Sequence, residues 1–155
     1  HLASIIKESH GHKGGSFVEI YQNCNIFNDG AFANMTDRET KMETQLVLEE
    51  GQPMIFGKDK DKGLVLNGSQ LSVLQLGDDR NVDDVLVHNS GNKNMARLLA
   101  GMTYNGELPT PIGVIYQEER ATYDEMMTTQ LQSAVDSKGL GDLDALIKGS
   151  NTWTV

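Results

Sequence analysis

The run Phe17-Val18-Glu19-Ile20-Tyr21 constrains the fold of this chain more than any other stretch. It is short, β-branched and aromatic, with Glu19 as its one polar interruption, and Gly14-Gly15 opens it. Such a run predicts a buried strand. It stops at Gln22-Asn23-Cys24-Asn25. The only cysteine of the chain therefore stands just past the carboxyl end of an expected core strand, which is where sites gather in open α/β sheets. Chemistry alone leaves two readings of Cys24 open. A free cysteine is usually a small buried hydrophobe. Against that, Cys24 has asparagine on both sides and precedes the turn sequence Asn28-Asp29-Gly30. One thiolate cannot hold an iron–sulfur cluster, which usually takes four. A ligand role for Cys24 therefore requires partners from outside this chain.

Four stretches together carry a family likeness. They are Lys13-Gly14-Gly15-Ser16-Phe17-Val18-Glu19-Ile20-Tyr21-Gln22-Asn23-Cys24, Gly51-Gln52-Pro53-Met54-Ile55-Phe56-Gly57, Pro111-Ile112-Gly113-Val114-Ile115-Tyr116 and Glu119-Arg120-Ala121-Thr122-Tyr123. From about His1 to Met127 the chain resembles the β subunit of 2-oxoacid:ferredoxin oxidoreductases, the 2-oxoglutarate type in particular. In that family a Lys-Gly-x-Ser-Phe-Val-Glu-Ile-x-Gln-x-Cys strand and loop supplies the last cysteine ligand of a 4Fe-4S cluster. Many members have proline just before that cysteine, where this chain has Asn23. Members also carry an early Cys-x-x-Cys pair, a third cysteine, and a Gly-Asp-Gly…Asn element that holds Mg2+ and the diphosphate of thiamine diphosphate. None of these occurs here. The expectation is the carboxyl-terminal part of such a subunit, beginning mid-domain.

The resemblance implies an α/β fold. Residues 1–52 would be the carboxyl-terminal part of a thiamine-diphosphate-binding parallel-sheet domain, including the cluster loop. Residues 53–155 would be a small antiparallel β arm, a returning strand and a carboxyl-terminal helical extension. It implies Cys24 as a 4Fe-4S ligand, with Asn25 and Asn28 as neighbours of cluster and substrate, and assigns no catalytic residue. The implied reaction is oxidative decarboxylation of 2-oxoglutarate or a related 2-oxoacid to an acyl-CoA, with electrons passed to ferredoxin. The implied cofactors are thiamine diphosphate, Mg2+ and the cluster. The implied partners are the α subunit, the remaining amino-terminal part of the β subunit, ferredoxin, the 2-oxoacid and coenzyme A. The fragment alone is expected to be inactive.

Composition excludes several function classes, and its acidity places any docking face for an acidic ferredoxin elsewhere. A formal charge of −9 over 155 residues argues against nucleic acid and offers no polybasic membrane anchor. One cysteine excludes a disulfide framework and suits a reducing, cytoplasmic setting. There is no apolar run of membrane-spanning length and no signal peptide in the chain.

Along the chain, Leu2, Ile5 and Ile6 predict a helix ending near Glu8, broken by His10-Gly11-His12-Lys13-Gly14-Gly15. His10 and His12 lack a third ligand nearby and are expected to be solvated loop residues. Thr36-Asp37-Arg38-Glu39 predicts a capping box opening a helix to Glu43. Leu46-Val47-Leu48 and Met54-Ile55-Phe56 predict short strands, and Lys58 to Lys62 a hairpin tip or loop. Leu64-Val65-Leu66, Asn67-Gly68 and the run Leu71 to Leu76 predict a hairpin with a type I′ turn. The acidic stretch Asp78 to Asp84 lacks EF-hand spacing and reads as a solvated loop. A helix is expected over Lys93 to Met102, capped from Asn89-Ser90-Gly91-Asn92. Ile112 to Tyr116 predicts a second core strand, with Gly113 marking a close backbone approach. Thr122-Tyr123-Asp124-Glu125 predicts a capping box opening a helix to about Val135, and Leu143 to Lys148 a last short helix.

No Gly-x-Ser-x-Gly elbow and no Walker-type phosphate loop occurs. The adjacent pairs Asp83-Asp84 and Glu118-Glu119 read as solvated faces. Two other classes remain beside the enzyme reading: a non-catalytic piece that holds another subunit through the Met54–Leu76 arm, and a metal-free α/β binding domain in which Cys24 is packing. A pull-down distinguishes the first, and thiol accessibility the second.

Overall fold

A computed structural model describes residues 1–77, 82–102 and 106–153. The chain divides into two compact units, one of His1–His12 and Ser16–Glu118, the other of Lys13–Gly15 and Glu119–Val155. The first unit contains helices α1 (Leu2–Gly11), α2 (Ala33–Thr36), α3 (Lys41–Thr44) and α4 (Lys93–Met102). Its strands are β1 (Gln45–Val47), β2 (Ile55–Phe56), β3 (Lys62–Asn67), β4 (Gln70–Gln75) and β5 (Thr110–Ile112). This is a mixed α/β arrangement with one parallel pair and one antiparallel sheet.

β1 runs parallel to β5, with Leu46 opposite Pro111 and Val47 opposite Ile112. The Leu48 amide extends the pairing by donating to the Ile112 carbonyl at 2.8 Å. Gly113 follows with φ +130, and a Cβ there would lie 2.9 Å from the Leu48 carbonyl oxygen. The close approach expected at this glycine is therefore real, and both its conformation and its surroundings exclude a side chain.

β2, β3 and β4 form the expected antiparallel arm, in that order. The buried side chains of Leu46, Met54, Phe56, Leu64, Leu99 and Met102 belong to one cluster, so α4 and both sheets share a core. α4 starts as predicted. Asn92 Oδ1 accepts from the amides of Asn94 at 3.0 Å and Met95 at 3.1 Å, two of the donors that a helix start leaves unpaired.

Several elements differ from expectation, each for a local reason. Phe17 to Tyr21 forms no strand: Phe17 is 90% exposed and Ile20 54%. Among the described residues no strand lies alongside it, and strand backbone without a ladder leaves its polar groups unpaired. Tyr21 instead stacks on Phe32, ring centroids 5.1 Å apart. Thr36 opens no helix. It closes α2, its hydroxyl donating back to the Phe32 carbonyl at 2.9 Å. The hairpin turn falls one residue later than read, because Asn67 and Gln70 still pair and Gly68-Ser69 makes the loop. Gly68 has φ +63 and Ser69 does not share the positive sign, the pattern of a II′ rather than a I′ turn. The second core strand begins at Thr110 and ends at Ile112, since Gly113 turns the chain out of the ladder. α1 runs to Gly11, so His10 lies on the helix and His12 caps it. Val82–Asp84 forms a short 3-10 turn, and Asp78 to Asn81 of the acidic stretch lie outside the described residues.

The second unit holds α5 (Tyr123–Lys138) and α6 (Leu143–Lys148). The predicted capping box is present. The Glu125 amide donates to Thr122 Oγ1 at 3.3 Å, and Glu125 Oε2 accepts from the Thr122 amide at 2.9 Å. Neither helix has a buried residue, and Leu131, Leu143 and Ile147 are all more than half exposed.

Truncating Leu99, fully buried where α4 meets the core, is expected to lower stability by about 2–5 kcal/mol in urea unfolding. Gly113→Ala is expected to lower the midpoint more than Gly68→Ala, because a Cβ at Gly68 meets open space while one at Gly113 meets Leu48. Equal midpoints for the two glycine variants would contradict this packing.

Candidate functional site

Cys24 sits in a tight loop in the first unit. Its carbonyl accepts from the Asn28 amide at 2.9 Å, and the two residues form an isolated antiparallel bridge. The Cys24 side of the loop is tied to its far side by Asn23. Its Nδ2 donates to Asn25 Oδ1 at 2.7 Å and Asp29 Oδ1 at 3.0 Å, and its Oδ1 accepts from the Gly30 amide at 2.9 Å. Gly30 has φ +72, a conformation that glycine adopts without strain.

Cys24 is half-buried and free. It is not packed among the aliphatic side chains of the core, from which it is absent. The Phe27 amide, then that of Ile26, and more weakly that of Asn28 hold the thiol below its ordinary value, against a partial opposing effect of burial. Donors aimed at a sulfur favour its anionic form, the form that binds metal. The side chains beside these amides face outward: Ile26 is 85% exposed and Phe27 88%. Of the residues expected beside Cys24, Asn25 takes part through its side-chain oxygen, and Asn28 through its amide on the Cys24 carbonyl.

No group of three or more His, Cys, Asp or Glu side chains arranged to hold a metal occurs among the described residues. Cys24 is therefore one donor and not a site by itself. The Lys58–Lys62 stretch is a loop leading into β3, where Glu43 accepts from the Lys58 amide at 3.1 Å and pairs with Lys62 Nζ at 2.6 Å. Glu118 accepts from Tyr116 Oη at 2.9 Å and from Lys93 Nζ at 3.1 Å, which raises the lysine above its ordinary value.

Sequence reasoning missed one buried polar cluster. His88 and Ser90 are buried, and the Ser90 amide donates to Glu50 Oε2 at 2.8 Å. That amide, with the Ser90 hydroxyl, holds the Glu50 carboxyl below its ordinary value. His88 Nε2 lies 2.9 Å from the Val114 carbonyl, which can only accept, so Nε2 carries the proton. The cluster lines a cleft of about 370 Å³ together with Glu8 of α1, Glu49 and Gln117. Its sequence signal is faint: the apolar run Val85-Leu86-Val87 ends in a histidine rather than in turn residues. Its contacts tie the turn after β1 to the segment after β5.

The chain is similar to the 2-oxoglutarate oxidoreductase subunit KorB of Mycobacterium tuberculosis (strain ATCC 25618 / H37Rv). Identity is 29% over 158 residues, covering 99% of this chain and 42% of the relative. The chain thus spans about two fifths of the length of the curated relative it matches. The match bears out the resemblance to a 2-oxoglutarate-type β subunit and is consistent with a portion of one. No protein-family model matches the chain, and no solved structure matches it.

The amides around Cys24 give a pH-resolved expectation. Because the folded thiol value is depressed, iodoacetamide should modify the native chain faster than the urea-unfolded chain below the ordinary thiol value of about 8.5. The ratio should fall toward one as pH rises past that value, where both forms are thiolate. Protection of the native thiol at neutral pH would instead mean a packed sulfur.

Proposed function

We propose that this chain is part of a 2-oxoacid oxidoreductase, with 2-oxoglutarate as its substrate, and that Cys24 binds one iron of a 4Fe-4S cluster. The observation that carries this reading is a half-buried free thiol, held on a loop outside the apolar core, at the cysteine of the family pattern. Similarity to KorB along nearly the whole chain supports it.

The donor set fits the group as a partial site. One half-exposed thiol, favoured as thiolate and displayed on a loop, suits a single iron position. The other three ligands would come from further polypeptide of the subunit. Thiamine diphosphate with Mg2+, when bound, supplies the electron sink for decarboxylation, and the cluster accepts electrons singly. This chain's own part is narrower. Cys24 offers the thiolate, and the amides of Ile26, Phe27 and Asn28 offset negative charge at its sulfur. Asn25 and Asn28 flank the position where cluster and substrate would lie.

In this reading residues 1–52 finish the thiamine-diphosphate-binding domain, with β1 and β5 part of its parallel sheet, and residues 53–155 form the arm, returning strand and helical extension. Coenzyme A takes the acyl group and ferredoxin the electrons. The α subunit and the remaining β-subunit polypeptide would cover side chains left exposed here, such as Phe17, Ile20 and Phe27, and those of α5 and α6. A cytoplasmic enzyme is proposed; no helix among the described residues is long and apolar enough to cross a membrane.

Replacing Cys24 by alanine in the intact enzyme is expected to abolish or loosen the cluster, read as iron content and ferredoxin reduction. Full iron with undiminished ferredoxin reduction in that variant would refute the ligand role.

A further inference from the structure

We infer that Asn23 is the positioning residue that locks the Cys24 loop in the shape that presents the Cys24 sulfur to a cluster iron. The inference rests on the ligand role proposed for Cys24 and concerns how that ligand is held.

The loop has little else to fix it. Ile26 and Phe27 at its tip are solvent-exposed, so apolar packing does not restrain them. Its backbone contributes the Asn28-to-Cys24 bond at 2.9 Å and a long Ala31-to-Asn28 bond of 3.4 Å, and past its end the Ala33 amide donates to the Gly30 carbonyl at 3.0 Å. The Asn23 side chain adds three more, and they reach across the cysteine. Nδ2 grips Asn25 and Asp29, at 2.7 and 3.0 Å, while Oδ1 takes the Gly30 amide at 2.9 Å. A side-chain amide is the group for this task, because it donates twice and accepts from one planar unit. Asp29 and Gly30 close the turn on one side, and Asn25 starts it on the other. With these ends fixed, the turn from Cys24 to Asn28 keeps one shape and the sulfur one position. Without them, the tip can open and the sulfur loses that position. Groups that orient a metal ligand in this manner commonly govern how tightly the metal is held.

The bonding pattern also supplies its own control. At position 23 an aspartate keeps the acceptor for the Gly30 amide but loses the donor to Asp29 and faces its carboxylate. Exchanging Asp29 for asparagine at the same time restores the pair with donor and acceptor reversed, and Asn25 can meet the new carboxylate by turning its own amide.

The test uses the intact holoenzyme carrying Asn23→Ala, Asn23→Asp, the pair Asn23→Asp with Asp29→Asn, and Cys24→Ala. The readouts are the rate of iron release to a ferrous chelator and the midpoint potential of the cluster. Asn23→Ala and Asn23→Asp should release iron about 10- to 100-fold faster than the native enzyme. Their midpoint potential should shift negative, because amide bonds to sulfur stabilise the more negative reduced cluster. The double variant should recover both properties relative to Asn23→Asp alone, which a generally damaged fold would not do. A native release rate and potential in Asn23→Ala, or a double variant no better than Asn23→Asp, would overturn the inference. Cys24→Ala separates the two levels. If it loses iron while Asn23→Ala is native-like, only the positioning role falls. If it retains full iron, the ligand role and the positioning role fall together.

Discussion

The parallel contact between β1 and β5 is the constraint around which the first unit is assembled. It joins residues 45–48 to residues 110–113, and a parallel pair of strands cannot be closed by a tight turn. The antiparallel arm and α4 occupy the intervening chain and supply the side chains that bury Leu46. The pairing also needs Gly113, since the Leu48 carbonyl occupies the space a Cβ would take. Beyond that glycine, His88 and Ser90 continue the connection. His88 donates to the Val114 carbonyl, and the Ser90 carbonyl accepts from the Gln117 amide at 3.1 Å. The buried polar cluster is thus a seam between the turn after β1 and the segment after β5.

What the sequence made legible is what short-range chemistry decides. The Thr122–Glu125 capping box, the Asn92 cap of α4, the β3–β4 hairpin and the close approach at Gly113 each depend on a few adjacent residues or on one backbone conformation. The hairpin turn moved by one residue because Gly68 can serve either as the second residue of a I′ turn or as the first of a II′ turn, and strand register decided. Thr36 went astray for a related reason. A threonine hydroxyl bonds forward as an N-cap or backward onto its own helix, and the spacing to Glu39 cannot say which.

The run Phe17 to Tyr21 failed differently. Its residues have the character of a core strand, but a strand is a relation between two segments, and no described segment pairs with it. Phe17 and Ile20 stand exposed, as do the apolar side chains of α5 and α6. The loop beyond it was better anticipated. The asparagines that set Cys24 apart from a packing cysteine are the residues that shape its surroundings: Asn23 and Asn25 through side chains, Asn28 through its backbone. The clasp made by Asn23 was not visible, because it depends on residues 25, 29 and 30 converging in space.

The thiolate of Cys24 as an iron ligand is the claim on which the functional account turns. An anomalous difference map collected at the iron edge from crystals of the intact enzyme tests it most directly. The account predicts an iron peak at bonding distance from Cys24 Sγ, with three further cysteines completing the cluster. A map in which the cluster is complete and Cys24 Sγ bonds no iron would contradict it.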